Sequence, residues 1–266
     1  DFSNTDGTGW GGLSAQVSFA IPITVSGNSI IDFMALGITG KYIAGLKYYE
    51  MMESSGRFQN VDYNIDRLSV NMFAKARKAD GGAGFGVDFG GIIQAFNNKL
   101  VLSVTALNAF GKVKWDKRTE MIEGSLKSNG IQLTTGGFNE EMLIAKDSTY
   151  AIEGFETPLP FILDVGVAYR LLRPILLTAE YEHVFHKRMG LHKTSRYAFG
   201  MELKIIPFLP LRGGISYKQN SSFAVAAGIG LNLSFWYVDV AVINHGGFNL
   251  DQAKGLTLAV TTRLRF

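Results

Sequence analysis

Cysteine is missing altogether, which excludes disulfides, zinc–thiolate sites and cysteine nucleophiles and fits an exported envelope protein. A large charge surplus is missing too. The net charge of +3 is too small to imply nucleic acid, and neither a basic helix nor an aromatic–basic RNA motif accompanies it. No charged segment followed by an apolar core opens the chain, so it is expected to be a mature form, the alternative being a chain that is never exported. No stretch of ~18 apolar residues occurs, which excludes a transmembrane helix. The longest apolar run, Ile205 to Leu211, is broken by Pro207 and Pro210.

What is present is apolar character spread by alternation. Hydrophobic residues make up 47% of the 266, with 31 Gly and 19 Phe against only 6 Pro; so much hydropathy without a block is the pattern of strands with one greasy side. The C-terminal stretch shows it best. Leu256, Leu258, Val260, Thr262, Leu264 and Phe266 share one parity, and Thr257, Ala259, Thr261, Arg263 and Arg265 the other. An apolar face ending at an aromatic residue resembles the C-terminal assembly signal of bacterial outer-membrane proteins, carried here by Leu258, Val260, Leu264 and Phe266. In a transmembrane barrel the last strand pairs with the first and shows lipid its apolar side. The alternative is an ordinary terminal strand of a soluble β-domain.

The expected fold is all-β: one transmembrane antiparallel β-barrel over residues 1–266, of about 12–14 strands, with long extracellular loops and short periplasmic turns. Asp1 to Gly12 reads as a polar lead-in. From Leu13 the parity locks, with Ala15, Val17, Phe19, Ile21, Ile23 and Val25 on the same face and Pro22 marking a bend or an edge. Turns at Gly27-Asn28 and Gly40-Lys41 set off strands near 30–38 and 42–52. Residues 53–83 fit both periods, and strand-count parity makes them an outer loop holding a helix or a short hairpin. The other expected outer loops are 110–160, long enough to hide a hairpin, 186–194 and 245–254.

The opposite faces of these strands carry both signs of charge. If the apolar faces meet lipid, the lumen is lined by Asp88, Asp164, Arg170, Glu180, Glu182, Arg196, Glu202, Lys204, Arg212, Lys218, Asp239, Arg263 and Arg265. Such charges must be paired or wet, because an isolated buried ion costs several kcal/mol. Mixed signs on neighbouring strands predict bracing cross-strand ladders rather than a single-sign selectivity ring. The small residues Ala224, Ala226, Gly228 and Gly230 either leave room for a loop, plug or ligand or fit a narrow taper. In a soluble sandwich the same faces would be the wet exterior.

The run of segments from Gly84 to Phe266 resembles a known family. It comprises the glycine-rich strand around Asp88, the Leu159-Pro160 entry to Asp164–Arg170, the strand Leu211–Ser216, and Gly228–Leu231 followed by Asp239. In that order they are similar to PorV/PorQ-type outer-membrane proteins of the FadL-like superfamily of long-chain fatty acid transporters. The resemblance implies a monomeric barrel of about fourteen strands that passes hydrophobic molecules or serves a secretion system. The partners implied are outer-membrane lipids and lipopolysaccharide, hydrophobic small molecules, and envelope or secretion-complex proteins, with no nucleic acid. Strand-like sequence begins at Leu13, so no plug-forming N-terminal hatch is recognisable, and the chain is short for either subgroup. The expected function is transport or presentation of hydrophobic or lipidic cargo; the alternative is a non-transporting anchor in an envelope or secretion complex.

Other motifs are weaker. Gly84, Gly86 and Gly90 lack the strand–turn–helix setting and G-x-G-x-x-G spacing of a dinucleotide loop, so they read as barrel glycines. His183, His186 and His192 sit among Lys187, Arg188, Lys193 and Arg196; spacing does not converge them on a metal, a basic outer loop touching lipopolysaccharide phosphates fits better, and a plain solvated loop is the preferred reading. Ser195 with His192 and Asn220 would be the elements of a lipid hydrolase, but no spacing places them as nucleophile and base. No catalytic residue, metal or cofactor is assigned. Trp10, Trp115, Trp236, Tyr48, Tyr49, Tyr181 and Tyr217 are candidates for interfacial aromatic girdles.

Overall fold

The computed structural model describes residues 7–23, 30–62, 67–132, 144–219, 223–247 and 254–265. The expected turn at Gly27-Asn28, most of the loop 245–254, and Phe266 of the assembly signal therefore lie outside the described residues, as do the first six residues. The described residues form one antiparallel sheet of fifteen strands. They are β1 (Gly7–Ile23), β2 (Ile31–Asp62), β3 (Arg67–Ala79), β4 (Gly82–Ala95), β5 (Leu100–Trp115), β6 (Glu120–Gln132), β7 (Ile144–Ala151) and β8 (Phe155–Pro158). There follow β9 (Ile162–Leu172), β10 (Ile175–Val184), β11 (Thr194–Ile206), β12 (Leu209–Lys218), β13 (Phe223–Leu233), β14 (Trp236–His245) and β15 (Gly255–Leu264).

Several strands are pieces of one line. β4 and β3 pair successive stretches of the same edge of β2, β5 and β6 run on in the same way, and β7, β8 and β9 follow along their far edge. Joined so, the fifteen strands make eleven antiparallel lines in chain order. β1 and β15 are the outermost, and both run from the long-connection end to the short-turn end. Among the described residues no ladder joins them, so the expected pairing of last strand with first is not observed. A parallel β1–β15 ladder, or one more line of opposite direction between them, is what would close the sheet.

The polarity of the sheet is inverted relative to a soluble domain. Along β11, Tyr197, Phe199, Met201 and Ile205 are exposed, while Arg196, Ala198, Gly200, Glu202 and Lys204 are half-buried. Phe199 keeps 59% of its surface and Ile205 keeps 74%. Ladder partners share a side, so one face collects Val104, Val165, Phe199, Ile215, Ile229 and Val240, and the other collects the charges. The charges expected to share a face, Asp164, Glu180, Glu182, Arg196, Glu202, Arg212 and Asp239 among them, do so by register.

The two long segments expected as loops are built from strands. Of the helix or short hairpin expected within 53–83, the described residues form the hairpin: β2 runs unbroken through Gly40-Lys41 to Asp62, about 100 Å if fully extended, and β3 pairs with its far half. Within 110–160 the foreseen extra hairpin exists as β6 with β7, and its connection 133–143 is outside the described residues. Lys75 and Tyr150 both hydrogen-bond Glu123 across this extension, and Lys75 first, then Tyr150, hold that carboxyl below the usual range. The opposite end is closed by tight turns. At Phe96, Asn97 and Asn98 φ is 58°, 57° and 59°, and the Asn98 N–H donates to Asp32 Oδ2 at 2.9 Å. The left-handed region costs a non-glycine residue roughly 1–2 kcal/mol, with Asn the least affected. Asn97→Val should therefore lower the urea unfolding midpoint, by about 1 kcal/mol of stability, and Asn97→Gly should leave it unchanged or raise it.

Candidate functional site

The face opposite the apolar one, termed the enclosed face for its half-buried charges, gathers ion pairs into three groups. On β9–β11, Arg196 donates to Glu180 and, at 3.4 Å, to Glu182. Asp164 stands opposite Glu182 and Lys218 opposite Arg196. Carboxylate oxygens of Asp164, Glu180 and Glu182 lie within 4.8 Å of one another, a density that the Arg196 guanidinium offsets. Lower on the sheet, Glu202 takes Lys204 at 2.7 Å and Arg212 at 2.8 Å, and Arg212 continues to Asp239. Apart from Glu202–Lys204, which lies within β11, these are the expected cross-strand pairs. Arg170, Lys218 and Arg263 lie on the same side by register and Arg265 follows the end of β15; none enters an ion pair among the described residues.

The third group is the most enclosed. Asp88, 7% exposed, accepts from Lys41 Nζ at 2.7 Å and from the Asn108 N–H at 2.7 Å. Asn108 sits in a bulge of β5, with φ 51°, because residues 107–109 face Asp88 alone. Its side chain accepts from Lys41 at 3.1 Å and donates to the Pro160 carbonyl at 3.0 Å. One buried ion pair thus anchors the break between β8 and β9. Lys41 and Asn108 were not among the expected residues; a lone Asp in a glycine strand was the available signal.

Beside that anchor the enclosed face turns apolar. Ile43, Tyr48, Val113, Trp115, Leu159 and Met189 are all buried and packed together, with Phe155 against them. Trp115 has no exposed surface; its Nε1 donates to Thr157 Oγ1 at 2.8 Å, and its ring lies 5.0 Å from that of Tyr48. The glycines make this possible. A Cβ at Gly45 would fall 2.5 Å from the Trp115 ring, and one at Gly86 2.9 Å from Leu159 Cδ1. The enclosed side of β4 is Gly82, Gly84, Gly86, Asp88 and Gly90, a bare floor on which large side chains lie flat. By contrast, a Cβ at Gly230 would meet Asp239 Oδ1, Pro210 and Arg212, so the room expected on β13 is taken by the ion pair. The glycine alternation was legible as strand; what it accommodates was not.

Three expectations are corrected here. Trp115 and Tyr48 are buried in this cluster rather than standing in an interfacial girdle, whereas Trp10, Tyr49, Tyr217 and Trp236 are exposed. The connection 186–194 is not simply a solvated basic loop. Arg188 and Leu191 exchange backbone hydrogen bonds at 3.0 and 2.9 Å, and the turn between them, Met189-Gly190, is tucked in. A Cβ on Gly190 would fall 2.9 Å from the carbonyl oxygen of Thr8 on β1, so this hairpin reaches across the enclosed face from the β10–β11 end. Finally, Ser195 stands opposite His183, not His192, with Oγ 2.8 Å from Nδ1; Asn220 is outside the described residues. The pair is on the apolar face beside Tyr181 and Tyr197, without a carboxylate on the imidazole among the described contacts.

An all-β sheet with an exposed apolar face, an ion-paired enclosed face and an apolar cluster across its long-connection end defines the class of this protein. The chain belongs to a family of unknown function, DUF5723, whose model matches residues 12–241. Among curated proteins no match is found. The crystal structure of the Ralstonia pickettii toluene transporter TbuX is similar over 95% of this chain and 67% of that one, at 14% sequence identity and a TM-score of 0.47.

The anchor can be tested directly. Both side chains are mostly buried, so removing one partner strands the other. Lys41→Met should cost about 3–5 kcal/mol in urea unfolding, and adding Asp88→Asn, which still accepts the Asn108 N–H, should restore most of it. Gly45→Val should cost about 1–3 kcal/mol through overpacking and shift Trp115 emission to the red, while Gly40→Ala, with open space at its Cβ, should do neither.

Proposed function

We propose that this protein is an outer-membrane β-barrel that moves or presents hydrophobic cargo. The observation that carries the reading is the inverted polarity: large apolar side chains stand out along every line of the sheet while the ion pairs gather on the opposite face, half-buried along β11 and most enclosed at Asp88. In water that arrangement exposes hydrocarbon and half-buries charge, the reverse of what the hydrophobic effect favours. In a bilayer both terms change sign. The dimensions agree. Tyr197 to Ile205 is about 27 Å along the strand, and tilted by roughly 35–45° it covers roughly 20 Å of depth, near the ~25 Å apolar band of such barrels. The PorV- and FadL-like order of segments points the same way.

In this reading the charged face lines the lumen, with Asp88, Asp164, Glu180, Glu182, Arg196, Glu202, Lys204, Arg212 and Asp239 bracing its wall. Arg170, Lys218, Arg263 and Arg265 then face lumen water. The apolar cluster built around Trp115 and Leu159 closes the outer mouth, and its position favours hydrophobic rather than ionic cargo. No catalytic role is assigned. A second reading, a non-transporting anchor, is favoured by the β2–β3 and β6–β7 extension, which continues past the length a bilayer needs.

The membrane assignment is checked by extraction and refolding: the protein should need detergent or lipid to stay in solution, and a monodisperse protein in plain buffer would end it. Phe199→Arg should cost about 2–4 kcal/mol in vesicles, whereas Ser216→Arg, on the enclosed face, should cost far less. Transport is checked with reconstituted vesicles and a fluorescent fatty acid. Flux above protein-free vesicles is expected; correctly folded protein without flux would favour the anchor.

A further inference from the structure

We propose that Met189 occupies, in place of cargo, a binding site for a small uncharged apolar group whose walls are Ile43, Tyr48, Val113, Trp115 and Leu159, and that the site opens when the hairpin bearing Met189 lifts out. The proposal rests on the transport reading and names the site and its control.

Three observations carry it. First, a side chain at a hairpin tip is normally solvated, yet Met189 is only 8% exposed and belongs to the same buried cluster as Trp115. Its backbone has φ 49°, followed by Gly190 at φ 85°. Two-residue turns of this kind prefer Asn or Asp at the first position, so methionine here is explained by what its side chain fills. Flexible and polarizable, it suits an aromatic-walled space.

Second, the walls stand without the hairpin. Trp115 is fixed from beneath by Thr157 Oγ1 and seated on Gly45, Tyr48 packs on both Trp115 and Phe155, and Leu159 is held by its N–H to the Gly111 carbonyl at 3.0 Å. Arg77 lies over Phe155, 4.1 Å from the ring centre, and is occupied by Glu50 at 2.6 Å, so the border is neutralised. Withdrawal of Met189 would leave a preformed apolar hollow rather than a collapsed one, the usual character of a small-molecule site.

Third, the hairpin is lightly attached. Its two ladder hydrogen bonds are internal, between Arg188 and Leu191. The described hydrogen bonds that tie Arg188–Leu191 to the body reduce to Arg188 Nη1 donating to the Leu159 carbonyl at 3.4 Å, a long contact. The packing of Met189 into the cluster and of Gly190 against the Thr8 backbone adds to this hold, and anything competing for the place of Met189 competes with closure.

The test uses the full chain in detergent, with Trp10→Phe and Trp236→Phe so that Trp115 alone reports. Bromobenzene, a heavy-atom quencher, is the probe. Saturable quenching of Trp115 is expected, about ten-fold tighter in Met189→Ala than in the parent because the internal competitor is gone. Met189→Leu, similar in volume and apolarity, should stay near the parent and guards against a folding effect. Trp115 emission should stay blue in both variants before probe is added. Equal affinity in Met189→Ala and the parent, or quenching that never saturates, would overturn the proposal. Vesicle flux in the same proteins separates the two readings. Flux without saturable quenching keeps transport and removes this site; saturable, Met189-sensitive quenching without flux keeps the site and removes transport.

Discussion

Everything in this molecule depends on keeping charge and hydrocarbon on opposite sides of one sheet. Each strand alternates, each ladder adds its neighbour in register, and a slip by one residue would carry every ionised side chain to the apolar face. The ion pairs therefore matter less as isolated bonds than as checks on register. Glu202 can meet Arg212, and Arg212 can meet Asp239, only when β11, β12, β13 and β14 are aligned as they are. The same holds for Arg196 between Glu180 and Glu182. Such pairs are half-exposed, which keeps their desolvation cost low while their geometry still discriminates.

The apolar cluster breaks this regular scheme, and it is local glycine that permits the exception. Bare backbone on β4 and at Gly45 lets Trp115 and Leu159 occupy the side otherwise reserved for charge. The bulge at Asn108 and the Lys41–Asp88 pair then hold the β8–β9 break that delivers Leu159. A hydrophobic patch on an ionic surface is thus produced by three departures from ideal strand geometry, close together in space and far apart in sequence. Met189 arrives from yet another connection to complete it.

Much of this was legible beforehand. Alternation assigned the charged residues of β4, of β9 to β12, and of β14 and β15 to one face, and the mixed charges on neighbouring strands announced their pairing. Residues 53–83 were not legible, because Leu68, Met72 and Ala76 satisfy helical and extended spacing alike, and only pairing with β2 decides between them. Trp115 was misjudged for a related reason: an aromatic residue at a strand end fits an interface as well as a core, and the glycines that seat it come from β2 and β4.

The sequence by itself therefore determined the period, the two-sidedness of every strand and the exclusion of thiol chemistry, since these are properties of neighbours along the chain. Which strands run on into one another, that Ser195 faces His183, and that Met189 is buried at the tip of a hairpin were decided only in three dimensions. Those outcomes depend on residues brought together by register across the sheet, and no local spacing encodes the distance between them.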